Sequence, residues 1–242
     1  MTTPATFGGR HVVHVELEWG PMGARALAER CDALVLVDVL SFTTSVTIAV
    51  RGGVLVWPHA YGAEGAEHLA REIGAVLARG RSTREGPTLS PASLLDLTPG
   101  TRLILPSPNG SGIAHTVISA GIPVYAACLR NATAVVAQLA GLERVGLVPS
   151  GERWSDGSLR PAYEDLVGAG AIAAGLGAHE GRGSGSDAQA AALAFLARRP
   201  LAECPSGRDL IERGFLSDVQ LADDLDVDDV VPVLRNGRFE RA

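Results

Sequence analysis

The chain has 242 residues, a formal net charge of −6, 46% hydrophobic and 20% charged side chains, an ordinary balance for a globular protein with a sizeable core. The negative charge, with no basic run interleaved with aromatics, argues against a nucleic-acid surface. Every one of the 21 cationic side chains is arginine, which excludes Schiff-base chemistry, a lysine-anchored pyridoxal cofactor and a standard phosphate loop.

Residues through Gly9 read as a frayed start. His11 to Leu17 alternates polar and apolar residues, as a half-buried strand does. Pro21–Arg30 reads as a short helix and Cys31–Val37 as a buried strand. Thr43–Arg51 reads as a helix stopped by Gly52-Gly53. A strand at Val54–Pro58, a helix over Gly62–Ile73 and a short strand at Ala75–Ala78 follow. Arg81–Pro99 is a surface loop, the kind of segment that carries function.

Strands at Thr101–Leu105, Ile122–Ala127 and Arg144–Val148 then alternate with helices at Gly112–Ala120, Ala132–Ala140 and Glu164–Leu176. Gly181-Arg182-Gly183-Ser184-Gly185-Ser186 is a flexible loop by composition, followed by a helix over Asp187–Ala197. Further segments span Gly207–Gly214 and Phe215–Leu221, and a last strand lies near Val230–Leu234. This alternation predicts an α/β architecture as one domain over residues 1–242. A two-lobed organisation has no readable boundary.

Cys31, Cys128 and Cys204 lack zinc-ligand spacing and do not form a disulfide framework. No signal peptide is evident, and every apolar run is too short to span a bilayer. The expectation is a cytoplasmic protein that does not enter a membrane.

Four times an apolar run breaks into small polar residues before helix-like sequence resumes. These breaks begin at Asp38, at Ser107, at Cys128 and at Ser150. In α/β proteins ligands sit outside the carboxyl ends of strands, where helix N-termini offer N–H groups to anions. The pattern predicts one anion site at four strand ends, with carboxylates near enough for a metal.

Asp38 follows four apolar residues, and a carboxylate there needs a partner. It is a magnesium ligand, a general base or a helix cap. Ser41, Thr43 and Thr44 suit phosphate or sulfonate oxygens, or ordinary capping. Ser107 to Gly112, with Asn109, Gly110 and Ser111, forms a compact turn that can aim N–H groups into one concavity.

Arg130 can grip a planar carboxylate or a phosphate, with Asn131 beside it as a ligand or a cap. Glu164 and Asp165 complement a helix dipole, and as a pair they also suit Mg²⁺. Cys128 is no phosphatase nucleophile, because Ala134 stands where such an enzyme needs its Arg. Gly168-Ala169-Gly170 matches a dinucleotide fingerprint only in letters. It lies inside a helix, where close packing explains it better.

Taken together, several segments resemble the 2-phosphosulfolactate phosphatase (ComB) family. They are Val37-Asp38-Val39-Leu40 with Thr43-Thr44-Ser45, Asn109-Gly110-Ser111, Asn131-Ala132 and Glu164-Asp165 with Ala169-Gly170-Ala171-Ile172. Gly214-Phe215, Asp218-Val219 and Asp226 to Val233 complete the set, in family order over nearly the whole chain.

The resemblance implies a layered α/β fold with a mixed β-sheet core flanked by helices, and a homo-oligomer, expected as a dimer. It implies a Mg²⁺-dependent phosphatase converting 2-phosphosulfolactate or a related small anionic phosphorylated acid to the hydroxy acid, a step in coenzyme M synthesis. Asp38, Glu164 and Asp165 would be the catalytic and metal-holding carboxylates. Ser41, Thr43, Thr44, Ser107, Asn109, Gly110, Ser111 and Asn131 would hold the phosphate, and Arg130 the acid end.

This chain departs from the family pattern in places. Ser41 stands where the family carries Arg, and its Gly-Glu-Arg-Gly-Gly segment survives only as Arg79-Gly80-Arg81-Ser82. A non-catalytic metabolite-binding paralogue is the alternative from another class; a nicotinamide enzyme would rest on the Gly168 match alone.

Overall fold

A computed structural model describes residues 13–62, 64–83, 86–178 and 183–242. The frayed start, the first residues of the strand expected at His11–Leu17, and the Gly181-Arg182 part of the glycine-serine loop lie outside the described residues.

The first strand, β1 (His14–Leu17), leads to α1 (Gly20–Ala28), whose Pro21 is pre-set for a first helical turn. The run Ala-Leu-Val-Leu-Val forms β2 (Ala33–Val37), buried at all five positions. Then come α2 (Phe42–Arg51), β3 (Leu55–Ala60), α3 (Ala66–Ile73) and β4 (Val76–Leu77). A long loop with a short 3₁₀ turn at Pro91–Leu94 leads to β5 (Arg102–Ser107) and α4 (Gly110–Thr116).

The chain continues with β6 (Val124–Ala127), α5 (Ala132–Gln138) and β7 (Arg144–Pro149). Next are a small hairpin, β8 (Glu152–Arg153) and β9 (Leu159–Arg160), and α6 (Tyr163–Gly175). The rest comprises α7 (Ser186–Leu196), α8 (Pro205–Glu212), α9 (Leu216–Asp223), β10 (Pro232–Arg235) and β11 (Arg238–Arg241).

Nine strands make one mixed sheet in the order β1-β7-β2-β6-β10-β11-β3-β5-β4. β1, β7, β2 and β6 run parallel, as do β3, β5 and β4. The β10–β11 hairpin joins these two parallel groups, antiparallel to both. The layered α/β expectation is met.

Period-two alternation in β2 supplies both faces of the sheet. Ala33, Val35 and Val37 enter one core with Val167, Ile172 and Leu147, whereas Leu34 and Leu36 enter the other with Phe42, Leu103 and Phe239. The glycines of α6 serve packing. A Cβ on Gly168 would lie 2.6 Å from Val39 Cγ2, and one on Gly170 only 2.0 Å from the Ala191 carbonyl oxygen of α7.

Two elements escape the sequence reading, the β8–β9 hairpin and β11. The second matters to the core, because Phe239 of β11 is fully buried edge-on against Phe42 at a centroid distance of 6.1 Å.

Candidate active site

β2 ends where its apolar run ends, and Asp38 is the first polar group beyond it. Its backbone is locked by Thr43, whose hydroxyl accepts from the Asp38 N–H at 2.9 Å and donates to the Asp38 carbonyl at 2.8 Å. The carboxylate accepts from the Phe42 N–H at 3.2 Å and the Gly110 N–H at 2.8 Å. Burial pushes Asp38 up to about 6, the two N–H groups oppose that, and the nearby Glu164 charge adds to it. Thr44 likewise turns its hydroxyl inward, donating to the Val39 carbonyl at 2.8 Å. The hydroxyls of Thr43 and Thr44 thus shape the turn after β2, and neither residue lines the cavity described below.

Asp165 ties this turn to the end of β7. One oxygen accepts from the Val39 N–H and the other from the Gly151 N–H, both at 2.8 Å. Burial, with the charges of Asp38 and Glu164, holds its carboxyl well above the usual range. Glu164 is equally buried, and its Oε2 has no hydrogen-bond partner among the described residues. Glu152, just beyond β7, joins the group. Burial first and Asp38 second raise its carboxyl to about 7, while the Asn109 amide, donating at 3.1 Å, opposes them.

The turn after β5 meets the same place. Ser107 and Asn109 face a cavity of about 790 Å³, whereas Gly110 and Ser111 stand behind it. The Ser111 hydroxyl donates towards the His59 carbonyl at 2.6 Å and the Ser107 carbonyl at 2.7 Å, so it braces the turn.

The β6 end does not reach the cavity. Arg130 is buried, with Nε on Asp228 at 2.6 Å and Nη1 on Asp224 at 2.8 Å and the Leu221 carbonyl at 2.7 Å. Burial disfavours its charge, but those carboxylates outweigh burial and hold the guanidinium above its usual range. Asn131 accepts from the Cys128 N–H and donates to the Ala126 and Val230 carbonyls. The expectations that Arg130 takes an acid group and Asn131 a phosphate are corrected here. Both residues staple β6 to the segment before β10, Arg130 through Nε and Nη1 and Asn131 through both atoms of its amide. Cys128 is buried, and burial pushes its thiol up, as suits an inert side chain.

Of the expected site residues, Asp38, Ser41, Ser107 and Asn109 line the cavity. Those missed are Arg81, Glu152, Arg160, Ser206 and Arg213. Arg81 is the most informative. Its guanidinium donates to the Ser41 hydroxyl at 2.5 Å and pairs with Asp218 of α9, whose other oxygen accepts from Ser90 at 2.5 Å. A cation therefore stands against position 41 although the residue there is serine. The available signal was an arginine pair, Arg79 and Arg81, opening the loop already marked as functional.

Among the described residues no three His, Cys, Asp or Glu side chains are grouped as a protein-only cage would need. Mg²⁺ commonly takes one or two carboxylates and keeps its waters. Asp165 and Asp38 each accept one N–H at each oxygen, Asp38 alone of the two faces the cavity, and Glu164, whose Oε2 is unpartnered among the described residues, sits within electrostatic reach of Asp38. Mutually repelling buried carboxylates of this kind fit a divalent cation.

Among the described residues no helix is long and apolar enough to cross a membrane. The family model for 2-phosphosulpholactate phosphatase matches residues 24–237. A probable 2-phosphosulfolactate phosphatase of Pseudothermotoga lettingae is 30% identical over 213 residues, which is 85% of this chain and 90% of that protein. The match runs through the ends of β2, β5 and β7 alike, and the chain belongs to the 2-phosphosulpholactate phosphatase family.

Proposed function

We propose that this chain is a Mg²⁺-dependent phosphatase acting on a small phosphorylated acid, 2-phosphosulfolactate or a close relative. The observation that carries the reading is the meeting of Asp38 and Glu152 with Arg81 and Asn109 around one cavity, with the buried Glu164 behind them close enough for its charge to act on Asp38 and Glu152. The name of the relative from Pseudothermotoga lettingae supports the substrate class.

In this reading Asp38 and Glu164 hold Mg²⁺, which when bound neutralises phosphate charge and lowers the pKa of water. Arg81, Ser41 and the Asn109 amide orient the phosphoryl oxygens. Bidentate guanidinium contact suits such an oxyanion. Glu152 keeps Oε2 on Asn109 and carries a proton at Oε1 for the leaving oxygen, its pKa of about 7 being matched to neutral conditions. Asp165 is a positioning residue, holding the β2 and β7 ends together. A homo-oligomer, as the resemblance implies, is part of the proposal.

Phosphate release from 2-phosphosulfolactate and a panel of small phosphomonoesters, with and without Mg²⁺, tests the reading. Asp38→Asn is expected to lose roughly 10²-fold or more in turnover. Full Mg²⁺-dependent turnover by that variant overturns the proposal. Ligand-induced stabilisation of the wild type without any turnover replaces it with a binding protein.

A further inference from the structure

The cavity has a second wall, built by α8 and Arg213 just past its end, with Asp209 as its one carboxylate. Pro205, Ser206, Leu210 and Arg213 all face inward there. The guanidinium of Arg213 lies 5.8 Å from the Phe215 ring centroid, and that of Arg81 lies 5.3 Å from the same centroid. One aromatic ring thus gathers two like charges, each attracted to the ring's negative face. Burial lowers the pKa of Arg81, and the charge of Arg213 acts in the same direction, so the two guanidiniums feel each other.

Their counter-charges differ. Asp218, paired with Arg81, is fully buried and also engaged by Ser90 and Ala92. Among the described residues Arg213 pairs only with Asp209, at 3.1 Å, and both side chains are more than half exposed. Such a pair is weak and readily exchanged for a better acceptor. The Ser206 hydroxyl, in the first turn of α8, lines the same wall and has no hydrogen-bond partner among the described residues. Two guanidiniums with one committed carboxylate, beside an unused hydroxyl, form a receptor for a further oxyanion.

We propose that Arg213 and Ser206, with Arg81 between them and the phosphate end, bind the non-phosphate acid group of the substrate, a carboxylate or a sulfonate. The assignment rests on the phosphatase reading above and gives the acid end the cation that Arg130 cannot supply. Arg81 is the shared cation, and Arg213 and Ser206 are the specificity-determining residues.

Calorimetric binding of sulfolactate, the phosphate-free hydroxy acid, to the full-length protein tests this without requiring turnover. Arg213 is exposed, so Arg213→Gln is expected to fold normally, with an unchanged melting temperature. It should weaken sulfolactate roughly ten-fold or more, and Ser206→Ala several-fold. Affinity for inorganic phosphate should stay within about three-fold in both, because phosphate engages the Asp38 end. Lactate and 2-hydroxyethanesulfonate, run in parallel, identify which acid group Arg213 reads.

Wild-type protein that does not bind sulfolactate overturns the subsite. So does an Arg213→Gln variant that binds it normally, or one that loses phosphate equally. Absence of phosphate release from any ester, with this binding pattern intact, instead sinks the phosphatase reading and leaves the subsite standing.

Discussion

The N–H of Gly110 donates to Oδ2 of Asp38 at 2.8 Å across 72 positions of sequence. One bond thereby clamps the turn after β2 to the start of α4. The approach depends on a missing side chain, because a Cβ on Gly110 would lie 2.6 Å from both Asp38 Oδ2 and Phe42 Cδ1. Gly110→Ala is therefore expected to displace the carboxylate. Urea denaturation should report a loss of about 1–3 kcal/mol, and steady-state kinetics a fall in kcat of roughly 10²-fold. Unchanged kcat would mean that Asp38 need not sit where this bond holds it.

Asp38 at about 6 and Glu152 at about 7 both lie above the ordinary carboxylate values of 3.8 and 4.5, burial being the main cause. The folded protein therefore holds protons that the unfolded chain has already released. Its stability falls as pH rises from the unfolded values through the folded ones. Without metal, stability from urea denaturation should be higher near about pH 5 than near about pH 8, by roughly 1–1.5 kcal/mol for Asp38 and roughly 2.5 kcal/mol for Glu152, each titrating alone. Mg²⁺ should restore stability at the higher pH and do little at the lower, because its ligands must be deprotonated. A stability curve that rises between those two conditions contradicts this assignment of charges.

Much of the fold was legible because burial leaves a period. β2 shows it most plainly, its five residues dividing between the two cores by simple alternation. β11 was not legible because Arg238-Phe239-Glu240-Arg241 contains one apolar residue, too few to mark a strand. The hairpin after β7 hides in a polar tract, and its two-residue strands carry no periodicity.

The site divides in the same way. Asp38 announces itself by ending an apolar run. The role of Arg81 depends on Asp218, 137 positions away, and that of Arg130 on Asp228, 98 positions away. The chain contains both members of each pair, but only folding states which arginine is spent.

Asp218 anchors Arg81 from the side away from Ser41, and its side chain is fully buried. Asp218→Asn leaves the Arg81 guanidinium with little compensation in a mostly buried place. The expected cost is about 3–5 kcal/mol in urea denaturation. KM for the phosphorylated substrate should rise more than kcat falls, since the variant loosens a binding group. An unchanged KM in the folded variant would remove Arg81 from the phosphate end.

Arg130 gives the opposite expectation. Arg130→Met removes a buried cation from Asp228, which then keeps, among the described residues, only the half-exposed Arg51 at 2.9 Å. Stability should fall by about 3–5 kcal/mol. Turnover per folded molecule should stay within about two-fold, because nothing that Arg130 touches lines the cavity. A selective loss of substrate affinity would return Arg130 to the binding role.

The β10–β11 hairpin also has a consequence for assembly of the chain. In hydrogen-bonding terms it is the only bridge between the β1-β7-β2-β6 group and the β3-β5-β4 group among the described residues. Residues 232–241, which supply it, come after every other strand in the order of synthesis. On the ribosome, the two parallel groups can each begin to pair as they emerge, but their facing edges stay open until that hairpin arrives. Until then β3 and β6 present unpaired strand edges, the surface through which nascent chains mispair with one another. The step that closes the sheet is thus postponed until residues 232–241 have been made, and a ribosome stalled before residue 232 would hold two half-sheets rather than one closed sheet.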